Sequence, residues 1–147
     1  MRKKYVLKRQ HGGRGMYAGV ELEIIPIKGS VSKVANQCRW SWEGAGTTDG
    51  KGWKAWEEVA LKTVQYVIDT YQIQRACIVT LRDLTILPVD TTPSHVAIAT
   101  IACLFELLND PLNEEDMEHL LDNTVGQNNT VEMPDLTCVK LSKALKN

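Results

Sequence analysis

A chain of 147 residues is the size of one domain with room for an appendage, and 44% hydrophobic against 24% charged residues is enough to build a real core. A formal net charge of −1 argues against whole-surface affinity for nucleic acid, which needs a clear basic excess. The sequence has no signal peptide, lipidation motif or apolar run of spanning length, and Cys38, Cys77, Cys103 and Cys138 show no CxxC spacing. These features predict a cytoplasmic protein away from the membrane, with buried free thiols rather than disulfides or a zinc site.

Arg2, Lys3, Lys4, Lys8, Arg9 and Arg14 crowd the start with no acid among them. Lys4 to Arg9 reads as a short edge strand whose lysines discourage pairing with another chain. His11-Gly12-Gly13-Arg14-Gly15 is a turn, with three glycines that permit backbone angles closed to other residues. Met16 to Ile27 then reads as a long strand, with Val20, Leu22 and Ile24 on one face and Glu21 and Glu23 on the other. That alternation suits a sheet wet on one side. Lys28-Gly29-Ser30 predicts a hairpin into a strand over Val31–Trp42. Glu43 to Gly52 is a glycine-rich loop, and Trp53, Trp56, Ala60, Val64, Val67 and Tyr71 recur at helical spacing.

Ala76 to Leu81 is a short apolar, β-branched run that suits a buried strand, with Asp83 ending it and Leu84 to Val89 forming a turn or short return strand. Thr91 or Thr92 can cap a helix with Pro93 in its first turn, where a missing N–H costs nothing. That helix is apolar almost all round from Val96 to Leu108, so it must be buried on more than one side. Asn113 followed by Glu114, Glu115 and Asp116 marks another helix start, carrying Met117, Leu120 and Leu121 on one face. Gly126 to Thr130 is a polar break before a mixed tail. From Phe105 to Leu136 every charged residue is acidic. The basic start and this acidic stretch are expected to be solvated faces that attract each other; the alternative is a basic contact point for RNA phosphate.

Two stretches resemble one family. His11-Gly12-Gly13-Arg14-Gly15-Met16-Tyr17 with Val20-Glu21-Leu22-Glu23-Ile24-Ile25-Pro26 is similar to the opening of domain IV of translation elongation factor G. Val79-Thr80-Leu81-Arg82-Asp83 through Val89-Asp90-Thr91-Thr92 resembles that domain's second hallmark, which precedes an Ala-rich helix. The resemblance covers roughly residues 4–110. It implies an α+β fold, a β-β-β-α-β-α two-layer sandwich with a left-handed crossover, over residues 1–110, with residues 111–147 as a C-terminal extension docked on it. In that family the two loops form the tip that enters the small-subunit decoding region. Met16, Leu84 and Leu87 stand where the family has Gln, Gly and its tip His, so the expected tip here is more apolar.

No pattern specifies an enzyme. His11, His95 and His119 lack metal-ligand spacing, Glu21 and Glu23 read as a wet sheet face, and Asp83 and Asp90 read as turn caps. No GxxxxGKS loop is present, so no GTPase activity is expected. The Gly12–Gly15 turn could offer backbone amides and one guanidinium to a phosphate. The expectation is therefore a non-catalytic domain without a cofactor, binding a ribosomal or other macromolecular partner. Its contact residues would be Gly12, Gly13, Arg14, Gly15, Met16, Leu84, Ile86 and Leu87, with weak RNA contact by Arg2, Lys3, Lys4, Lys8 and Arg9. The alternative is an oligomerising interaction module unrelated to translation, packing through the same apolar tip.

Overall fold

The structure, a computed structural model, describes residues 1–11, 14–40, 51–87, 90–124 and 133–146. The side chains of His11, Arg14, Trp40, Lys51 and Trp53 also lie outside the described part. Four strands and three helices follow in the order β1 (Arg2–His11), β2 (Arg14–Pro26), β3 (Lys33–Trp40), α1 (Lys51–Thr70), β4 (Cys77–Thr85), α2 (Pro93–Leu107) and α3 (Glu114–Thr124). The fold is α+β, a mixed sheet with helices packed on it. Trp42 and the glycine-rich loop up to residue 50 fall outside the described residues, and its last two residues, Lys51 and Gly52, belong to α1.

The strand order is β1-β2-β4-β3. β1 and β2 are antiparallel, as are β2 and β4, whereas β3 runs parallel to β4. The expected hairpin from β2 into β3 is therefore corrected. Gly29 does make a left-handed turn (φ 112), but β4 is inserted between the two strands. The physical reason is burial: the apolar run at Cys77–Leu81 belongs at the centre of the sheet, and β3, with Lys33, Asn36, Gln37 and Arg39 on it, suits an edge.

Val20 and Leu22 are fully buried, and Ile24 packs against the same core. Glu21 and Glu23 remain half-buried on the other face, paired with Arg2 and Arg82. The helices thus cover one face only among the described residues, as the alternation requires. In α1, Val59, Ala60, Val64 and Val67 are buried, while Lys54, Glu58 and Asp69 on the far side are exposed. α2 is buried at every residue except Glu106. It is surrounded by β1 and β2, α1 and α3, so an apolar stripe would not have sufficed for it.

β4 carries one irregularity, and it sets which of the strand's later side chains reach the core. Glu21 pairs with Asp83 but Leu22 pairs with Leu81, so Arg82 is an extra residue with no opposite number on β2. A bulge of this kind shifts the two-residue alternation by one position. Val79 and Leu81 point into the core before it, and Leu84 and Ile86 after it. Asp83 consequently does not end the strand, which continues to Thr85.

Beyond α2, described apolar side chains return to the core. Met117, Leu120, Leu121, Leu136, Val139 and Leu141 join the same core cluster as the sheet and α2. Asn113 caps α3 by accepting the Asp116 amide at 2.8 Å. The tail ends against α1, where the Gln72 amide donates to Ala144 O at 2.8 Å and the Lys146 amide to Thr70 O at 2.9 Å.

Candidate functional site

The β1–β2 ladder runs up to the pair His11↔Arg14, with Gly12 and Gly13 between them and outside the described residues. Beside this turn lies the segment that joins β4 to α2. The Tyr17 amide donates to Asp90 O at 3.2 Å. The Thr91 hydroxyl donates to Tyr17 O at 2.6 Å and accepts the Leu87 amide at 2.9 Å. A Cβ built on Gly15 would lie 3.4 Å from the Asp90 carboxylate, an ordinary contact. Tyr17, near the start of β2, is therefore bonded to Asp90 and Thr91, just ahead of α2, at one end of the sheet.

A second set of bonds fixes where this segment turns into helix. Thr92, in extended backbone, caps α2 by accepting the His95 amide at 3.3 Å, and His95 Nδ1 accepts the Thr92 amide at 3.1 Å. This is a capping box in which an imidazole takes the place usually held by Glu or Gln. It requires a lone pair on Nδ1, and burial holds the His95 pKa below its ordinary value. Pro93 sits in the first turn, where its missing amide is unneeded. His95 thus has a structural use, and nothing in the spacing of the histidines points to a ring nitrogen as acceptor.

Burial corrects three of the expected contact residues. Met16 is 3% exposed, Leu84 0% and Ile86 4%, so their side chains support the tip from below rather than form its surface. Met16 alternates in phase with Ala18 and Val20 toward the helices. Leu84 and Ile86 turn inward because of the Arg82 bulge. Of the expected apolar contact side chains, Leu87 alone is half-buried and reaches the rim. Gly15 is exposed, and the Arg14 side chain lies outside the described residues.

The basic start is largely occupied by ion pairs. Arg9 donates to both carboxylate oxygens of Glu114, at 2.8 and 3.1 Å, and Lys3 pairs with Glu106 at 3.2 Å. Those two pairs join the basic start to the acidic stretch, as the charge pattern predicts. On the open sheet face Arg2 pairs with Glu21 at 2.9 Å, and Lys4 reaches Asp83 at 3.8 Å. Lys8 has no ion pair among the described residues. The five cations are thus divided between two faces of the sheet and do not form one patch.

The thiols differ in exposure. Cys77 and Cys103 are buried, Cys38 is intermediate and Cys138 is exposed, so the expectation of buried thiols is corrected for Cys138. Burial pushes the Cys38 and Cys103 thiols up to about 12, which keeps them protonated and unreactive.

A cleft of about 590 Å³ lies at the opposite end of the sheet from the tip. Ile24, Pro26, Ile73, Phe105 and Leu108 supply apolar walls. The Lys143 ammonium beside it is consumed by Asp110 O and Oδ1 at 2.8 Å and Pro111 O at 3.0 Å, and lies 5.3 Å from the Phe105 ring centre. Among the described residues no group of three or more His, Cys, Asp or Glu is placed to hold a metal ion. No described helix is long and apolar enough to cross a membrane.

No protein-family model and no curated protein matches the chain. A solved structure of a protein from Thermus thermophilus is similar over 67% of this chain, with 18% identity and a TM-score of 0.41. The match covers 14% of that protein's length.

Proposed function

We propose that this protein is a non-catalytic domain of the elongation factor G domain IV kind that binds a ribosomal or other macromolecular partner through its tip. The observation that carries the reading is the bonding of Tyr17, near the start of β2, to Asp90 and Thr91 ahead of α2. Fixing these flanking residues in advance removes part of the entropic cost that a partner would otherwise meet on binding. The two stretches that resemble the family's hallmarks are the stretches that meet here, and the element order agrees with that resemblance. Contact falls to Gly12, Gly13, Arg14, Gly15 and Leu87, with Met16, Leu84 and Ile86 buried in the core. Weak RNA contact by the basic start depends on Lys8 and on cations whose ion pairs are exposed and exchangeable.

The test has two arms. A pull-down from the native lysate identifies recovered protein and RNA, and purified small ribosomal subunits are then sedimented with the protein. Leu87→Asp and Arg14→Ala are each expected to reduce binding about tenfold or more, as central contact residues do. Lys3→Ala with Lys4→Ala should weaken it only at low salt. The reverse ranking moves the contact to RNA along β1, and indifference to all four changes removes the tip from the account. Oligomerisation through an apolar tip is the competing reading, and analytical ultracentrifugation of the natural protein decides it.

A further inference from the structure

β1 ends the sheet on one side, and its ladder to β2 fixes which backbone groups are used. Met1 and Ile24 exchange both backbone bonds, at 2.8 and 3.0 Å. Pairs that exchange bonds alternate along an antiparallel ladder with pairs that do not. The register is unbroken from Arg2↔Glu23 to His11↔Arg14, so Lys3, Tyr5, Leu7 and Arg9 also bond toward β2. The amides and carbonyls of Arg2, Lys4, Val6, Lys8 and Gln10 must then point away from the sheet. Among the described residues none of these has a backbone partner on that side. The strand is ten residues long, with neither proline nor bulge. β3, the opposite edge, is eight residues long and its register shifts between Asn36 and Arg39. β1 is therefore the open edge.

Its side chains state what could join it. At the middle of the strand Val6 is 42% exposed, with Lys4 and Lys8 on either side of it on the open sheet face. On the helix side Lys3 and Arg9 already hold Glu106 and Glu114. On the open face an added strand would meet Lys8, which has no ion pair among the described residues, and the exposed, exchangeable pairs of Arg2 with Glu21 and Lys4 with Asp83; on the other it would meet the pairs of Lys3 and Arg9 beside half-buried Tyr5. A second copy of β1 laid antiparallel would set cations against cations, which is unfavourable.

We propose that the β1 edge from Arg2 to Gln10 takes up an extended peptide of alternating acidic and apolar residues as a fifth strand, acids toward the open face. This site is separate from the tip, although β1 leads into it at His11.

A fluorescent decapeptide of alternating glutamate and valine, titrated by anisotropy with the full chain, tests it. Three comparisons are run: the lysine–valine counterpart, the acidic peptide N-methylated at alternate amides, and a uridine decamer. The acidic peptide should bind at least about tenfold more tightly than the other three, because backbone bonds supply affinity and alternate side chains supply specificity. Val6→Pro removes an outward amide without touching the β2 ladder, so it should abolish uptake while the fold, checked by thermal melting, survives. Lys8→Glu should weaken uptake about fivefold, and only at low salt. Equal binding of the N-methylated peptide would reduce the effect to charge attraction and overturn the proposal. Tighter binding of the uridine decamer, or no binding of the acidic peptide, would do the same. If Val6→Pro does not fold, the N-methylated pair on the natural chain decides alone. Leu87→Asp separates the two readings, since it should impair the tip and leave peptide uptake unchanged.

Discussion

At the tip end Tyr17, Asp90 and Thr91 are joined by backbone and hydroxyl hydrogen bonds, whereas at the opposite end Lys143 and Asp116 hold the tail with charged ones. Asp116, 4% exposed, accepts the Ser142 amide and hydroxyl, both at 2.8 Å. Lys143, with its side chain 5% exposed, caps the chain just beyond α2 by donating to Asp110 and Pro111 carbonyls. Charge-assisted bonds are the stronger kind, but their groups are consumed by making them. The tail end is tied down by charged groups; at the tip end Gly15 is exposed and Leu87 half-buried. That difference is why a partner is sought at the tip although a cleft of about 590 Å³ lies at the other end.

The change that breaks both ends at once is in the floor they share. Val20 is 0% exposed between β1, β4 and α2, so Val20→Asp buries an unpaired charge costing several kcal/mol. Circular dichroism should show an unfolded chain at 25 °C. Breaking one end should do less. Asp116→Ala leaves the Ser142 amide without its acceptor, at a cost of about 2 to 3 kcal/mol. Thermal melting should fall by roughly 5–10 °C, and limited proteolysis should release the tail before the body is cut. A body and tail that melt together with unchanged proteolysis would show that Asp116 does not hold this end.

The ends were unequally legible in the sequence. Caps could be read, because Thr92-Pro93 and Asn113 with three acids after it are local signals, and both start helices where expected. Strand faces could be read wherever alternation held, as at Val20, Leu22 and Ile24. It failed at Arg82, because a bulge depends on how β4 meets β2 rather than on its own composition. That one extra residue moved Leu84 and Ile86 from the expected surface into the core. The Lys143 clamp had no local signal at all, since two of its three acceptors are backbone carbonyls more than thirty residues earlier. The pairing of the basic start with the acidic stretch was visible as a pattern, but the partners Glu106 and Glu114 were not individually marked.

A smaller change isolates the tip. Thr91→Val keeps the shape of the side chain but deprives the Leu87 amide and Tyr17 carbonyl of their shared partner. The cost should be about 1 to 2 kcal/mol, seen as a fall of roughly 3–6 °C in melting temperature. If the tip is the binding surface, partner affinity should fall further than stability does, because the loops must then be ordered on binding. Equal affinity for Thr91→Val and the natural protein would mean that the bonded loops contribute nothing to recognition.

The smallest expected effect separates the two ends by acidity alone. Burial lowers the His95 pKa from 6.5, and its Nδ1 accepts the Thr92 amide only when unprotonated. The unfolded chain therefore takes up this proton first. The stability His95 contributes is complete above pH 6.5 and is lost as pH falls from there through the folded value. At Asp116 burial pushes the carboxyl up, but the hydrogen bonds from Ser142 outweigh it and leave the pKa below 3.8. Its contribution is complete above pH 3.8 and is lost only below that. Lowering the pH should thus loosen the tip while the tail stays docked. Amide hydrogen exchange at about pH 7, 5.5 and 4.5 should show protection falling at Tyr17 and Thr92 but not at Ser142 or Lys146. His95→Gln, which restores a non-titrating acceptor to the capping box, should remove the tip's pH dependence and leave the tail unchanged. Loss of protection at both ends in parallel would mean that the molecule opens as one unit and that neither group sets its own end.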